Sequence, residues 1–355
     1  MIEVKNLTKV YGNNTAVSNL TFTIQSGQIY GFLGPNGAGK TTAMNIITGC
    51  LAATSGTVTI SGYDIFEDAD KAKKLIGYLP EEPPLYPDMT PYEYLYFVAR
   101  AKRVPRGDII SKIDDVMTVT GIHSVSDRLI KNLSKGYRQR VGIAQALIGD
   151  PEIIILDEPT VGLDPKQIIE IRELIRSLGE NHTVILSSHI LSEVRALCDN
   201  IMIISRGKLV ACDTPENLER LFSGTTTIEL TVKAKEEEVR NALSDILSIV
   251  DIEYSRVEDT DRAEVIITAE GKDDITEEIF YAFCDMRRPI LRMEKMHASL
   301  EDVFVELTSA KDGAGIYAKR QADAEFERQL WEDVEEPEDT SDKQEIEGEG
   351  EGEEL

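Results

Sequence analysis

The stretch GPNGAGKT, residues 34–41, decides the fold of this chain. It matches the spacing G-x-x-x-x-G-K-[ST], in which glycines let backbone N–H groups close around phosphate oxygens. The alternating residues QIYGFLG before it predict a strand, and KTTAMNIITG after it predicts a helix whose N-terminus would face the phosphates. The residues predicted to bind a nucleotide here are Gly34, Pro35, Asn36, Gly37, Ala38, Gly39, Lys40, Thr41 and Thr42.

Two acidic residues end the apolar run IIILDE, residues 153–158. A continuous apolar run is typical of a buried parallel strand. Beside a phosphate-binding loop, Asp157 is predicted to reach Mg²⁺ and Glu158 to polarise an attacking water. Lys40 would neutralise the terminal phosphates and the Thr41 hydroxyl would be a further Mg²⁺ ligand. The alternative is a strand that merely ends in solvent-facing acids.

The order of elements predicts an α/β fold with two units. Strands and helices alternate through residues 1–222, which favours a largely parallel sheet with helices on both faces. A helical section covers about 88–145. Residues 225–310 read βαββαβ, the ferredoxin-like order. Residues 311–355 predict a possible short amphipathic helix and then an acidic, disordered tail.

Composition excludes several classes of protein. The 355 residues carry a net charge of −26, and the segment after Trp331 holds 13 acidic residues and one Lys. A basic footprint for nucleic acid is therefore absent. The four scattered cysteines form no C-x-x-C pair, which favours reduced thiols in the cytosol. No apolar run approaches the roughly 18 to 20 residues that span a bilayer, so we expect no membrane crossing by this chain alone.

The stretch LSKGYRQR, residues 133–140, adds the resemblance that identifies the family. Together with the loop at residues 34–41 and LDEPTVGLDP at residues 156–165, it makes the chain resemble the nucleotide-binding subunits of ABC transporters. The familiar signature is LSGGQ; here Lys135 replaces a glycine and Tyr137 replaces the glutamine. The resemblance covers residues 1 to about 220. It implies a RecA-like core, an antiparallel β subdomain, a helical subdomain, and ATP with Mg²⁺ as ligands.

The resemblance also implies that two copies dimerise head to tail. Ser134, Lys135 and Gly136 would then bind the ATP that the opposite copy holds, because they precede a helix N-terminus. Asp164 matches the loop that crosses the dimer interface. The alternative is that Ser134 is only the N-cap of an ordinary helix, which is the same geometry without a bound ligand.

Three further positions are carried over from the family. Tyr11 matches the aromatic residue that stacks on adenine, and Val17 would line the same face. His189, which ends TVILSSH, matches the histidine that contacts the γ-phosphate and positions the water. The resemblance thus implies Glu158, His189 and Lys40 as the catalytic residues.

The loop GYLPEEPPLYP, residues 77–87, combines two acids with several prolines, which fix φ and exclude a helix. Most of the family has a glutamine where this chain has Glu81, and in those proteins the glutamine contacts Mg²⁺. We expect Glu81 to be a third metal ligand. Leu85, Tyr86 and Met89 are the predicted contact with a membrane subunit.

The segment SLEDVFVELT, residues 299–308, resembles the C-terminal part of ABC-2-type export ATPases, including the gliding, sodium-export and drug-resistance groups. The implied function is ATP hydrolysis at the cytoplasmic face of the membrane, coupled to a separately encoded integral membrane permease. A soluble ABC ATPase acting on nucleic acid or ribosomes is the alternative, and the acidic charge argues against it. A nucleotide kinase or simple GTPase would lack the signature. The second unit could sense a ligand, aid dimerisation or serve only for packing.

Overall fold

The structure is a computed structural model, and it describes residues 1–222, 225–255, 262–270, 275–296, 299–310 and 312–332. Three sheets organise these residues. The first unit contains, in chain order, β1 (Ile2–Tyr11), β2 (Asn14–Ile24), β3 (Ile29–Leu33), α1 (Lys40–Ile47), β4 (Ser55–Ile60), β5 (Tyr63–Asp64), α2 (Ala69–Ala72), β6 (Ile76–Leu79), α3 (Pro91–Ala101), α4 (Ile109–Thr120), α5 (Lys135–Leu147), β7 (Ile153–Asp157), α6 (Pro165–Gly179), β8 (Thr183–Ser188), α7 (Leu191–Leu197), β9 (Asn200–Ser205), β10 (Lys208–Asp213) and α8 (Pro215–Phe222).

The remaining described residues form a second unit and two further helices. These elements are β11 (Thr225–Val232), α9 (Glu236–Leu243), β12 (Ile249–Ser255), β13 (Ala263–Glu270), α10 (Thr276–Asp285), β14 (Ile290–Met296), α11 (Leu300–Ser309) and α12 (Gly313–Glu332). The predicted acidic tail beyond residue 332 lies outside the described residues.

The central sheet has the strand order β10-β9-β3-β8-β7-β6. All neighbours in it are parallel except β10, which runs antiparallel to β9. Every residue of β3, β7 and β8 is buried, because helices cover both faces of a parallel sheet. The carboxyl ends of these strands therefore meet at one edge, where α/β folds bind ligands.

A second, antiparallel sheet of order β2-β1-β4-β5 packs over α1 and one face of the central sheet. Their shared core includes Phe32 and Met44, both fully buried. The predicted helical section consists of α3, α4 and α5. The helix α3 ends before Pro105, and α4 ends at Gly121, whose φ of 67° is left-handed.

The unit from β11 to β14 has the antiparallel strand order β12-β13-β11-β14, which confirms the ferredoxin-like arrangement. Its helices α9 and α10 cover one face of the sheet. The apolar residues form a core of their own that includes Ile228, Val265 and Phe283. This core is separate from the two clusters of the first unit.

The helices α11 and α12 belong structurally to the first unit. Leu300, Val303 and Leu307 of α11 are buried in the same cluster as Phe222. The boundary of 225–310 expected from the sequence therefore groups α11 with the wrong core. At 20 residues α12 is longer than the short helix expected, and its Tyr317 is buried against β10. Within the described part of the chain, every helix is too short or too polar to span a bilayer.

Candidate nucleotide-binding and hydrolysis site

The glycine-rich loop joins β3 to α1 at the carboxyl edge of the central sheet. Gly37 and Gly39 have φ of 79° and 105°, in the left-handed region that side chains avoid. A Cβ at Gly39 would also collide with the carbonyl oxygen of Ala16. The sequence spacing thus reflects a backbone path that turns N–H groups toward the cavity ahead of α1.

Lys40 opens α1 and is 7% exposed. Its Nζ donates a 2.7 Å hydrogen bond to the carbonyl oxygen of Gly34 and lies 3.8 Å from Glu158 Oε1. A buried ammonium requires such partners, because removing the charge from water costs on the order of several kcal/mol even after the protein has relaxed around it. The loop and the acid after β7 therefore hold the Lys40 charge inside the cavity.

Glu158 follows β7 in a left-handed conformation, with φ of 49°. A non-glycine residue there is strained, and such strain is concentrated at functional sites. Its N–H donates to Ser187 Oγ over 2.8 Å, and its Oε2 lies 2.9 Å from His189 Nδ1. Because a carboxylate only accepts, Nδ1 carries the proton of this bond and the other ring nitrogen is left for a different partner.

Asp157 is fully buried at the end of β7. Its Oδ1 accepts a 2.5 Å hydrogen bond from Ser187 Oγ. Among the described residues, Asp157 Oδ2 has no hydrogen-bond partner. Leaving a buried carboxylate oxygen without a hydrogen bond costs about 1–3 kcal/mol or more of stability. Such an oxygen is a good ligand for a hard divalent cation. The donor set of Asp157, Thr41 and Glu81 is all oxygen and fits Mg²⁺.

The pKa of the Tyr78 phenol responds to the negative charge near this edge. Its Oη donates to Asn45 Oδ1 over 3.2 Å. Burial raises the pKa of the Tyr78 phenol well above its usual value, and the carboxylate of Asp157, the Cys50 thiol and the carboxylate of Glu81 raise that pKa further. The two acids are therefore close enough to act on one neighbour electrostatically.

A cavity of about 650 Å³ lies at this edge of the sheet, and Lys40, Glu158 and His189 line it. Its lining residues are Asn14, Thr15, Ala16, Asn36, Gly37, Ala38, Gly39, Lys40, Thr41, Thr42, Glu81, Glu158, Val161, His189, Arg206 and Gly207. Residues 36–42 of the loop, Glu158, His189 and the exposed Glu81 thus share one space, whereas Gly34, Pro35 and Asp157 lie outside its lining.

The two residues expected to hold the base of the nucleotide lie elsewhere. Val17 is fully buried in the core beneath the antiparallel sheet, and Ala16 lines the cavity in its place. The Val17 side chain faces the core because successive strand residues face opposite sides, and its contact with the base stays a prediction. Tyr11 ends β1 outside the cavity lining, 47% exposed, with Lys9 Nζ 5.1 Å from its ring. Stacking of adenine on Tyr11 stays a prediction.

The signature residues sit at a helix N-terminus away from the cavity of their own chain. Ser134 is the N-cap of α5, and its Oγ accepts the N–H of Tyr137 over 3.3 Å. Gly136 packs so closely on Gln167 that a Cβ would lie 2.7 Å from that side chain. Asp164 caps α6 by accepting the N–H of Gln167 over 2.9 Å.

Lys135 lines a neighbouring cavity with Glu81 and Val161. None of the four residues Ser134, Lys135, Gly136 and Asp164 lines the nucleotide cavity of its own chain, and their role toward another copy's nucleotide stays a prediction.

The loop from Glu81 to Met89 is only partly available to a partner. Leu85 and Met89 are partly buried and pack against the core of the first unit, and their contact with a membrane subunit stays a prediction. Tyr86 is 46% exposed, with its ring centroid 5.8 Å from that of Tyr94. Tyr94 Oη donates to the Pro84 carbonyl over 3.3 Å, and burial and then Tyr86 raise the pKa of Tyr94 to about 12.

Several site residues escaped the sequence reasoning. Ser187 joins both acids of β7, and its signal was available: a hydroxyl beside the carboxyl end of the apolar run TVILSSH. Ala16 could have been found from the alternation of β2. Arg206 and Gly207 reach the cavity from the turn between β9 and β10, and no local motif marks them.

Comparison with known proteins agrees with this geometry. The family model described as "ABC transporter" matches residues 17–161. The linearmycin resistance ATP-binding protein LnrL of Bacillus subtilis (strain 168) is 33% identical over 309 residues, covering 87% of this chain and 98% of that protein. The lantibiotic transport ATP-binding protein SrtF of Streptococcus pyogenes is 40% identical over 233 residues, covering 64% of this chain and 99% of that protein.

A solved structure is also similar to more than half of this chain. The dimeric structure of MJ0796, a bacterial ABC transporter cassette, is 28% identical with a TM-score of 0.55, covering 60% of this chain and 98% of that chain. Fold and site together define a P-loop ATPase. The chain belongs to the ABC transporter family, among its ATP-binding subunits. The family predicted from the sequence is confirmed.

Proposed function

We propose that this subunit hydrolyses ATP at the cytoplasmic face of a membrane and drives export through a separately encoded integral membrane permease. The observation that supports the catalytic part best is at the edge of the central sheet. There Glu158 directly follows Asp157 with its orphaned Oδ2, pairs with His189, and lines one cavity with Lys40. A carboxylate held by an imidazole beside a phosphate loop suits the activation of water.

Each side chain has a defined task in this scheme. The backbone N–H groups of residues 34–42 and the N-terminus of α1 bind phosphate oxygens, and Lys40 neutralises their charge. Glu158 accepts hydrogen bonds from the attacking water, and His189 holds the Glu158 carboxylate in place through Nδ1. Thr41, Asp157 and Glu81 would hold Mg²⁺, which supplies charge neutralisation at the β- and γ-phosphates when bound.

A second copy would complete the site. At the N-terminus of α5, Ser134 and Lys135 are exposed and Gly136 is buried beside them; this helix end would offer N–H groups and a lysine charge to the nucleotide of the opposite copy. Asp164 would lie at the same contact. That the MJ0796 cassette is dimeric supports the pairing of two copies.

Export rather than an action on nucleic acid fits the charge and the relatives. The chain has a net charge of −26, whereas a polyanion binder needs a basic surface. Two relatives are named for linearmycin resistance and lantibiotic transport, which supports an antimicrobial compound as the cargo. The half-exposed Tyr86 is the proposed contact with the permease.

The test replaces Glu158 by Gln, which keeps the shape of the side chain and removes its charge. We expect ATP turnover to fall by about 10²-fold or more while ATP still binds, because general-base assistance contributes 10²–10⁴-fold. ATP should then hold the variant as a dimer in size-exclusion chromatography with light scattering. Glu173→Gln, the same change on the exposed face of α6, is the control.

Purification from detergent-solubilised membranes tests the coupling. A multi-span membrane protein that co-purifies with the tagged subunit supports transport. Co-purifying RNA or ribosomes would instead establish the soluble alternative, and full turnover by Glu158→Gln would overturn the assigned role of that residue.

A further inference from the structure

A buried carboxylate, that of Glu193, lies beneath the catalytic edge and takes no part in the scheme above. Glu193 stands in the first turn of α7 and is 3% exposed. Its Oε2 accepts hydrogen bonds from Thr160 Oγ1 over 2.7 Å and from Ser188 Oγ over 3.3 Å. Its Oε1 lies 3.4 Å from Arg172 Nη2.

The partners of Glu193 come from three separate segments. Thr160 belongs to the loop that follows β7, two residues after Glu158. Ser188 is the last residue of β8, next to His189, and Arg172 lies on α6. One carboxylate therefore connects the segment that carries the proposed base with the segment that carries its histidine.

Strand alternation gives these contacts a direction. Successive residues of β8 face opposite sides of the sheet. Ser187 turns toward Asp157 and Glu158, while Ser188 turns the other way, toward Glu193. Ser188 Oγ also accepts the N–H of Ile190, so the chain just past His189 is fixed as well. The end of β8 is thus held from both faces.

The burial of the Glu193 carboxylate costs free energy of folding. A buried ionised carboxylate loses its hydration, and a buried ion pair often adds little stability over apolar residues of the same size. Among the described residues, Glu193 Oε1 makes no hydrogen bond to offset this cost; only the Arg172 charge faces it. Stability alone is a weak reason for a glutamate at this position.

We propose that Glu193 is a positioning residue for ATP hydrolysis. It ties Thr160 to Ser188 and so fixes the distance between Glu158 and His189, and with it the course of the loop from Val161 to Asp164. This inference rests on the proposed function, because the loop would reach the second copy through Asp164. The contribution lies in the transition state and in dimer closure, not in the binding of ATP to one chain.

The first experiment compares Glu193→Gln and Thr160→Val with Thr160→Ser, which keeps the hydroxyl. We expect kcat to fall about tenfold in the first two variants while the KM for ATP stays within about twofold, since the lost contacts act on geometry rather than on ground-state binding. Thr160→Ser should retain most of the activity. The double variant should be no worse than the more impaired single variant, because both changes break one link.

Glu219→Gln is the matched control. It removes the carboxylate charge of an ion pair between α8 and α7, that of Glu219 with Arg195 at 3.1 Å, and leaves Thr160 and Ser188 untouched. Thermal unfolding of every variant separates loss of fold from loss of geometry. Should Glu193→Gln fail to fold, Thr160→Val still carries the test. Wild-type kcat in Thr160→Val, or additive losses in the double variant, would overturn the proposal.

A second readout uses the Glu158→Gln background. We expect the ATP-held dimer to be several-fold less populated once Glu193→Gln or Thr160→Val is added, as measured by light scattering. If Glu158→Gln alone forms no such dimer, the proposed function fails. If it forms one that the added changes leave unaltered, only the role of Glu193 in dimer closure is refuted.

Discussion

Ser187 donates a 2.5 Å hydrogen bond to Asp157 from the neighbouring strand of the central sheet. The same hydroxyl accepts the N–H of Glu158 over 2.8 Å. One side chain of β8 therefore sets both the carboxylate proposed for the metal and the strained backbone of the proposed base.

Replacing Ser187 by Ala should damage both arrangements. The change leaves Asp157 Oδ1 and the Glu158 N–H without their partner, each a buried group whose loss of a bond costs about 1–3 kcal/mol. We expect a lower melting temperature and a fall in kcat of about tenfold. Steady-state kinetics and thermal unfolding measure the two effects.

Thr183→Ala is the control for Ser187→Ala. Thr183 begins β8 at the opposite end, where its Oγ1 accepts the N–H of Gly27 over 3.0 Å. The control should lose stability without losing kcat. Equal losses of kcat in both variants would show that Ser187 acts through stability alone.

Glu81→Gln tests the third proposed metal ligand. An amide carries no charge, so it attracts a divalent cation less than a carboxylate does. We expect the Mg²⁺ concentration for half-maximal ATPase activity to rise several-fold. Glu82→Gln is the control, because Glu82 is exposed and does not line the nucleotide cavity. An unchanged Mg²⁺ titration in Glu81→Gln would remove Glu81 from the metal site.

Tyr86→Ala tests the contact with the permease. The ring is 46% exposed and packs at 5.3 Å from the ring of Phe97, so truncation removes an aromatic anchor of the kind that dominates interfaces. We expect the permease to be lost from detergent pull-downs. Tyr63→Ala, a change of similar exposure on the antiparallel sheet, should keep it. Equal retention in both variants would place the contact elsewhere.

Tyr317→Ala tests the docking of α12 on the first unit. Tyr317 is 9% exposed, and its Oη contacts the Cys212 carbonyl at 3.0 Å and Asp213 Oδ2 at 3.1 Å. Truncation of a buried aromatic side chain costs about 3–5 kcal/mol. Chemical denaturation should reveal a clear loss, whereas Lys319→Ala on the exposed side of α12 should be neutral. A neutral Tyr317→Ala would mean that α12 is held by other contacts.

The sequence predicted what local patterns encode. The loop at residues 34–41, the buried run before Glu158 and the helix cap at Ser134 depend on the order of neighbouring residues, and the structure has them where expected. The ferredoxin-like sheet order followed from the order of its elements. The families of known proteins agree with this reading.

Contacts between distant segments were not predictable in this way. Val17 and Ala16 differ in which face of β2 they occupy, so a shift of one residue decides which of the two lines the cavity. The helix α11 has an amphipathic pattern that says nothing about which core receives it. Glu193 meets partners from three segments, and no single stretch of sequence shows that convergence.

The return of α11 and α12 to the first unit changes what the ferredoxin-like unit can do. It is an insertion rather than an appendage: the chain leaves the ATPase core at Phe222, and α11 and Arg320 of α12 pack on that same residue. An insertion anchored on both sides has far fewer orientations open to it than a domain on a single linker. Movement of this unit would therefore act on two anchor points at once, and one of them, α11, contacts the hairpin whose turn lines the nucleotide cavity through Thr308 and Ser205.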